Sequence, residues 1–136
     1  MRYMLLVHHN ERAFEKLSQT EQQRLRAESV QLANQIHSSG QYLDAAPLHP
    51  TSTATSVRVR DGKRLVTDGP FAETREQLGG YFMIDAKDLD EAIDIAARIP
   101  GARLGAVEIR AVMELAGLPA NNIRRSVDPG IGRSTY

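Results

Sequence analysis

The chain has 136 residues, enough for one domain around a single core and too few for two. Its 41% hydrophobic and 25% charged residues are those of an ordinary globular protein, and seventeen basic residues against seventeen acidic ones leave a formal net charge of +0. That balance provides no electrostatic footprint for gripping nucleic acid or an anionic membrane, and the absence of cysteine rules out disulfides, a thiolate nucleophile and a cysteine metal site.

Residues 2–8 form a short apolar run that His8, His9, Asn10, Glu11 and Arg12 cut off. It is too brief for a signal-peptide core or a membrane span and reads as a central strand of a cytoplasmic protein, covered on both faces. Residues 11–17 predict a short helical turn. Thr20 with Gln23 three residues on is a capping-box pattern opening a long helix over residues 20–38, ended by Gly40. Leu25, Ser29, Leu32, Ala33 and Ile36 share its inner face, leaving Gln23, Arg24, Arg26, Gln31 and Asn34 for solvent.

Residues 42–48 read as an irregular strand interrupted by Pro47 and followed by Pro50. A hairpin follows: residues 56–60 alternate in period two, Asp61-Gly62 supplies the turn, and residues 64–67 return. Residues 80–85 are almost wholly apolar and predict another central strand. Asp88 is an acidic N-cap for a helix with Leu89, Ala92, Ile93 and Ala96 as its apolar stripe, stopped at Pro100-Gly101, and the last strand covers residues 106–113. The order predicts an α+β, ferredoxin-like βαββαβ domain over residues 1–115, with an antiparallel sheet covered by both helices on one face. The uncovered face predicts a homodimer. Residues 116–136, rich in glycine and arginine, read as a flexible tail or a dimer arm.

The run Asp68-Gly69-Pro70-Phe71-Ala72-Glu73-Thr74-Arg75-Glu76-Gln77-Leu78-Gly79-Gly80-Tyr81 lies between the Val57-Arg58-Val59-Arg60 hairpin and Asp88-Leu89-Asp90-Glu91-Ala92. Over residues 1–113 the chain resembles the DGPF-type branch of the YCII-related proteins. The resemblance implies a dimeric α+β barrel of bacterial, cytoplasmic origin. It also implies kinship with small cofactor-independent enzymes similar to muconolactone isomerases and dehalogenating lactone enzymes. Other YCII-related proteins carry a suggested catalytic His-Asp pair with its histidine on the first helix; here that helix has no histidine before His37, at its end.

Asp68, where the chain leaves the sheet, is a candidate general acid or base, and equally a turn residue bonding its own following amides. Glu73 and Arg75 suit the rim of a site for a carboxylate, with Tyr81 and Arg110 as further substrate-binding candidates; a solvated charged turn explains Glu73 and Arg75 as cheaply. His8 and His9 end the first strand and point to opposite sides, so one faces the helices and the other the open face, where it suits proton transfer. His37 and His49 are weaker candidates. No histidine pair has the spacing of a helical metal site, and Gly79-Gly80 precedes a strand instead of opening a helix, so neither a metal nor a nucleotide cofactor is expected. If the valines of the hairpin and of the last strand face the helices, Arg58, Arg60, Glu108 and Arg110 line the open face, either solvated or walling a pocket for an anionic small molecule. Two functions follow: a cofactor-independent enzyme doing acid-base chemistry on a small organic acid or lactone, or a non-catalytic small-molecule-binding or regulatory dimer. A purely structural interaction protein would have no enclosed pocket.

Overall fold

A computed structural model describes residues 1–119. The elements are β1 (Arg2–His9), α1 (Glu11–Glu15), α2 (Gln19–Ser38), β2 (Tyr42–Pro47), a 3-10 turn at Thr51–Thr53, β3 (Thr55–Arg60), β4 (Lys63–Asp68), β5 (Gln77–Asp85), α3 (Leu89–Ala97), α4 (Gly101–Leu104) and β6 (Ala106–Ala111). Four strands form an antiparallel sheet in the order β2-β5-β1-β6, and the hairpin β3-β4 stands apart as a two-stranded sheet. With the hairpin set aside, this is the ferredoxin-like arrangement, in which the two apolar strands β1 and β5 are central, as expected of runs that must be buried. Among the described residues no helix is long and apolar enough to cross a membrane. The expected tail falls mostly on residues 120–136, outside the described residues.

Period-two alternation assigns the faces. Tyr3 and Leu5 of β1 pair with Ile84 and Phe82 of β5, and all four are buried with Leu32 and Ile36 of α2 and Ala92, Ile95 and Ala96 of α3. Val107 and Ile109 of β6 pack against the same core, so Met4, Leu6, Tyr81, Met83, Glu108 and Arg110 share the opposite face.

Several local expectations need correction. Ser18, not Thr20, caps α2: its Oγ accepts the Glu21 N–H at 3.1 Å. In α3, which lies against β6, the buried stripe is Ala92, Ile95 and Ala96, while Leu89 and Ile93 are exposed. Pro100-Gly101 does not merely stop that helix; Pro100 caps the short α4, as its fixed φ permits at a helix start. The hairpin valines do not face the helices. Val57 and Val59 are 60% and 61% exposed, because β3 and β4 pair only with each other and no helix lies over them. The Asp61-Gly62 turn has positive φ at both residues, 51° and 72°, which matches the twist of a two-residue hairpin.

Candidate functional site

On its helical side the sheet is incompletely covered, leaving a cleft of about 650 Å³. Leu25, Ser29, Val30 and Ala33 of α2 form one wall, Tyr42 and Ala45 of β2 another, and Ile99, Pro100 and Gly101 close the far end. That end is fastened to α2 from outside: Arg103 of α4 donates to both Glu28 carboxylate oxygens at 2.8 and 2.9 Å, and Arg98 donates to Gln35 at 2.7 Å. The lining is chiefly apolar with a few polar side chains at its margin, and the volume lies in the range of small-molecule sites.

The floor is made by an irregularity in β5. Val7 pairs with Gly80 and His8 with Leu78, so Gly79 is an extra residue opposite β1, a β-bulge. The His9 ring occupies the space above Gly79: a Cβ there would lie 2.3 Å from His9 Cε1 and 2.7 Å from Nδ1. Phe14 of α1 flanks the same ring at 5.4 Å between centroids. Asn10 fixes the turn that brings α1 back, its side chain accepting the Ala13 N–H at 3.1 Å. Gly80 meets a different demand, since a Cβ there would come within 3.0 Å of the Ala46 carbonyl oxygen and 3.3 Å of Pro47 Cα, where β2 crosses closely.

Burial holds His9 below the ordinary histidine range, against the opposing pull of the Glu11 and Glu76 carboxylates. The imidazole is therefore neutral at pH 7, and its ring nitrogens make no hydrogen bond among the described residues. A neutral, unpartnered imidazole in a cleft can accept a proton or donate one.

A second, more polar hollow of about 540 Å³ opens on the open face where β1 ends and β6 begins; His8, Asn10, Arg75, Glu76 and Glu108 line it. His8 Nε2 lies 3.3 Å from Glu108 Oε1, and Arg110 approaches the other Glu108 oxygen at 3.6 Å. The two histidines thus diverge as alternation requires: His9 into the helix-side cleft, His8 onto the open face.

The remaining candidates are spread out. Tyr81 donates to Asp44 Oδ2 at 2.6 Å on the open face, and that hydrogen bond raises the phenol above its ordinary range. Glu73 is exposed in the loop before β5. Asp68 is exposed at the end of β4, lines neither hollow, and accepts no hydrogen bond from the amides that follow it. The Gly69 N–H goes instead to Ala54 O at 2.7 Å, and Gly69 O accepts from Ser56 Oγ at 2.8 Å. Among the described residues no group of three or more His, Asp or Glu side chains is placed to hold a metal.

Glu108 was expected on the open face as a polar alternant of β6, Glu76 fits a solvated turn from sequence, Arg26 was expected to face solvent, and Phe14 was not singled out. Phe14 and Arg26 had no local signal, because they meet across twelve residues: the Arg26 guanidinium lies 5.4 Å above the Phe14 ring.

A model of the YCII-related domain matches residues 1–116. An uncharacterized protein of Rhizobium meliloti (strain 1021) is 35% identical over 112 residues, spanning 81% of this chain and 90% of that protein.

Proposed function

Because the chain belongs to the YCII-related family, whose members resemble small cofactor-independent enzymes, we propose that it carries out acid-base chemistry on a small organic acid or lactone bound in the helix-side cleft. The observation that supports this most is a neutral, half-buried His9 seated on a glycine bulge inside a chiefly apolar cleft. In the reaction class this suits, a ring nitrogen of His9 takes a proton from carbon next to a carbonyl. The C–H electron pair moves toward the carbonyl oxygen as an enolate, and the proton returns to a second carbon of the same skeleton. The alternative, a binding or regulatory dimer using the same cleft without turnover, draws support from the lack of a hydrogen-bonded carboxylate to orient the His9 ring.

The protein would work as a homodimer in the cytoplasm. Support for self-association comes from Met4, Leu6 and Met83, which share the sheet face opposite the helices. Asp68, outside both hollows of its own chain, would join a site only where a second copy brings its hairpin base nearby. His8, Glu73, Arg75, Tyr81 and Arg110 would then belong to the dimer-facing side.

Deuterium incorporation tests the enzymatic reading. A panel of small lactones and keto acids is incubated in D₂O and followed by proton NMR. Enzyme-dependent exchange is expected at a carbon next to a carbonyl, lost in His9→Gln and retained in His8→Gln. Exchange that survives His9→Gln but disappears in His8→Gln or Asp68→Asn would refute the assignment. Light scattering on the wild type and on Leu6→Asp tests the dimer, which the variant should convert to monomer.

A further inference from the structure

We infer that Arg26 is the anion anchor of the helix-side cleft, and that the cleft takes a monoanionic organic acid with an apolar body, its carboxylate on Arg26. This rests on the cleft being the ligand site, as proposed above.

The two arginines of one turn of α2 have opposite fates. Arg24 is paired with Glu21, which it meets along the helix. Arg26 has Gln22, Gln23, Ser29 and Val30 three and four residues away, so its own helix offers it no carboxylate. Nor does any carboxylate elsewhere among the described residues pair with it. Its contact is the face of Phe14, the ring that also flanks His9. Held over an aromatic ring and in no side-chain hydrogen bond among the described residues, the guanidinium has its donors free, and their planar fork matches the two oxygens of a carboxylate. Arg26 thus puts an unneutralised positive charge at the border of a chiefly apolar cleft in which His9 carries none at pH 7. The complementary ligand has one negative charge at that end and hydrocarbon along Ala33, Ala45 and the Gly79-Gly80 floor. A dianion would bury its second charge against apolar walls.

The test uses 3-phenylpropionate and its uncharged counterpart 3-phenylpropionamide, titrated at pH 8, where His9 is neutral, with amide resonances of Ala33, Gly79 and Gly80 reporting occupancy of the cleft. The acid should bind at least tenfold more tightly than the amide. Arg26→Met, which keeps the apolar stem, should bring the two within about twofold, while Arg26→Lys should keep an intermediate preference. Arg26 is exposed, so thermal melts of both variants should match the wild type. Equal binding of acid and amide in the cleft would overturn the anchor and leave the cleft reading standing. A preference for the acid that survives Arg26→Met would place the anchor elsewhere and overturn it too. If neither compound shifts the cleft resonances, the anchor and the cleft reading fail together.

Discussion

Gly79→Ala and Gly80→Ala add the same methyl group to adjacent residues of β5 and should have different consequences. At Gly80 the new Cβ would stand 3.0 Å from Ala46 O and 3.3 Å from Pro47 Cα, both backbone atoms of a paired strand. Neither can rotate away, so β2 must shift from β5. Overpacking of that kind costs about 1–3 kcal/mol. For a chain of this length that is a fall in melting temperature of roughly 3–5 °C per kcal/mol. At Gly79 the colliding atoms belong to the His9 ring, which a side-chain rotation can remove. The lost contact with Phe14 is worth about 0.5–1.5 kcal/mol, and replacing glycine by alanine within a strand returns about 0.5–1 kcal/mol. Gly79→Ala should therefore melt close to the wild type while moving the ring toward solvent. Burial is what holds His9 low, so its titration midpoint should rise toward the ordinary range in Gly79→Ala and stay depressed in Gly80→Ala. Thermal melts with NMR titration of the histidine Cε1 protons measure both quantities. A Gly79→Ala protein that keeps a depressed His9 would refute the claim that the bulge glycine seats the ring.

His9 also links stability to pH. Its folded pKa lies below the ordinary 6.5, so as pH falls below 6.5 the unfolded chain takes up a proton that the native ring resists, and stability is lost with falling pH. Above that range the group contributes no slope. Urea midpoints at pH 8 and pH 5.5 should differ less for His9→Gln than for the wild type, and an equal difference would show that His9 titrates alike in both states. Leu5→Ala, at a fully buried position paired with Phe82 and Ile109, should cost about 2–5 kcal/mol in urea unfolding with little change in slope. Asp88→Ala removes the side chain that accepts the Glu91 N–H at 2.9 Å and should cost about 1 kcal/mol in the same assay.

The sheet and its helices were legible because each rests on a periodic signal that burial enforces. β1 and β5 are central since their apolar runs would be costly at an edge, and Val107 and Ile109 face the core because alternation leaves them nowhere else. Signals without burial behind them were less secure. Thr20 and Ser18 are both capping residue types in isolation, and only the helix start itself shows that Ser18 Oγ takes the Glu21 N–H. Leu89 and Ile93 fit a helical stripe, yet the face of α3 laid on the core carries Ile95 in their place. The hairpin valines alternate as core residues do, and only the strand pairing of the whole chain reveals that nothing covers them. The cleft was not legible at all, since Phe14, Arg26 and His9 converge only after α1, α2 and the end of β1 have packed.

The motif from Asp68 to Gly80 does two separate jobs at its two ends. At its start, Gly69 adopts a φ of 96° and ties the hairpin base through Ala54 and Ser56, a task for backbone groups and a residue without Cβ. At its end, Gly79 supplies the bulge on which His9 lies, and Gly80 lets β2 approach. Asp68 drew its weight as a candidate more from the length of the motif it opens than from its own chemistry. Within one chain, however, the motif touches a cleft histidine through its glycines, which carry no chemistry and act by leaving room. The room left at Gly79 is what admits the His9 ring, and from there an unbroken line of contacts runs to Phe14 and on to the unpaired guanidinium of Arg26.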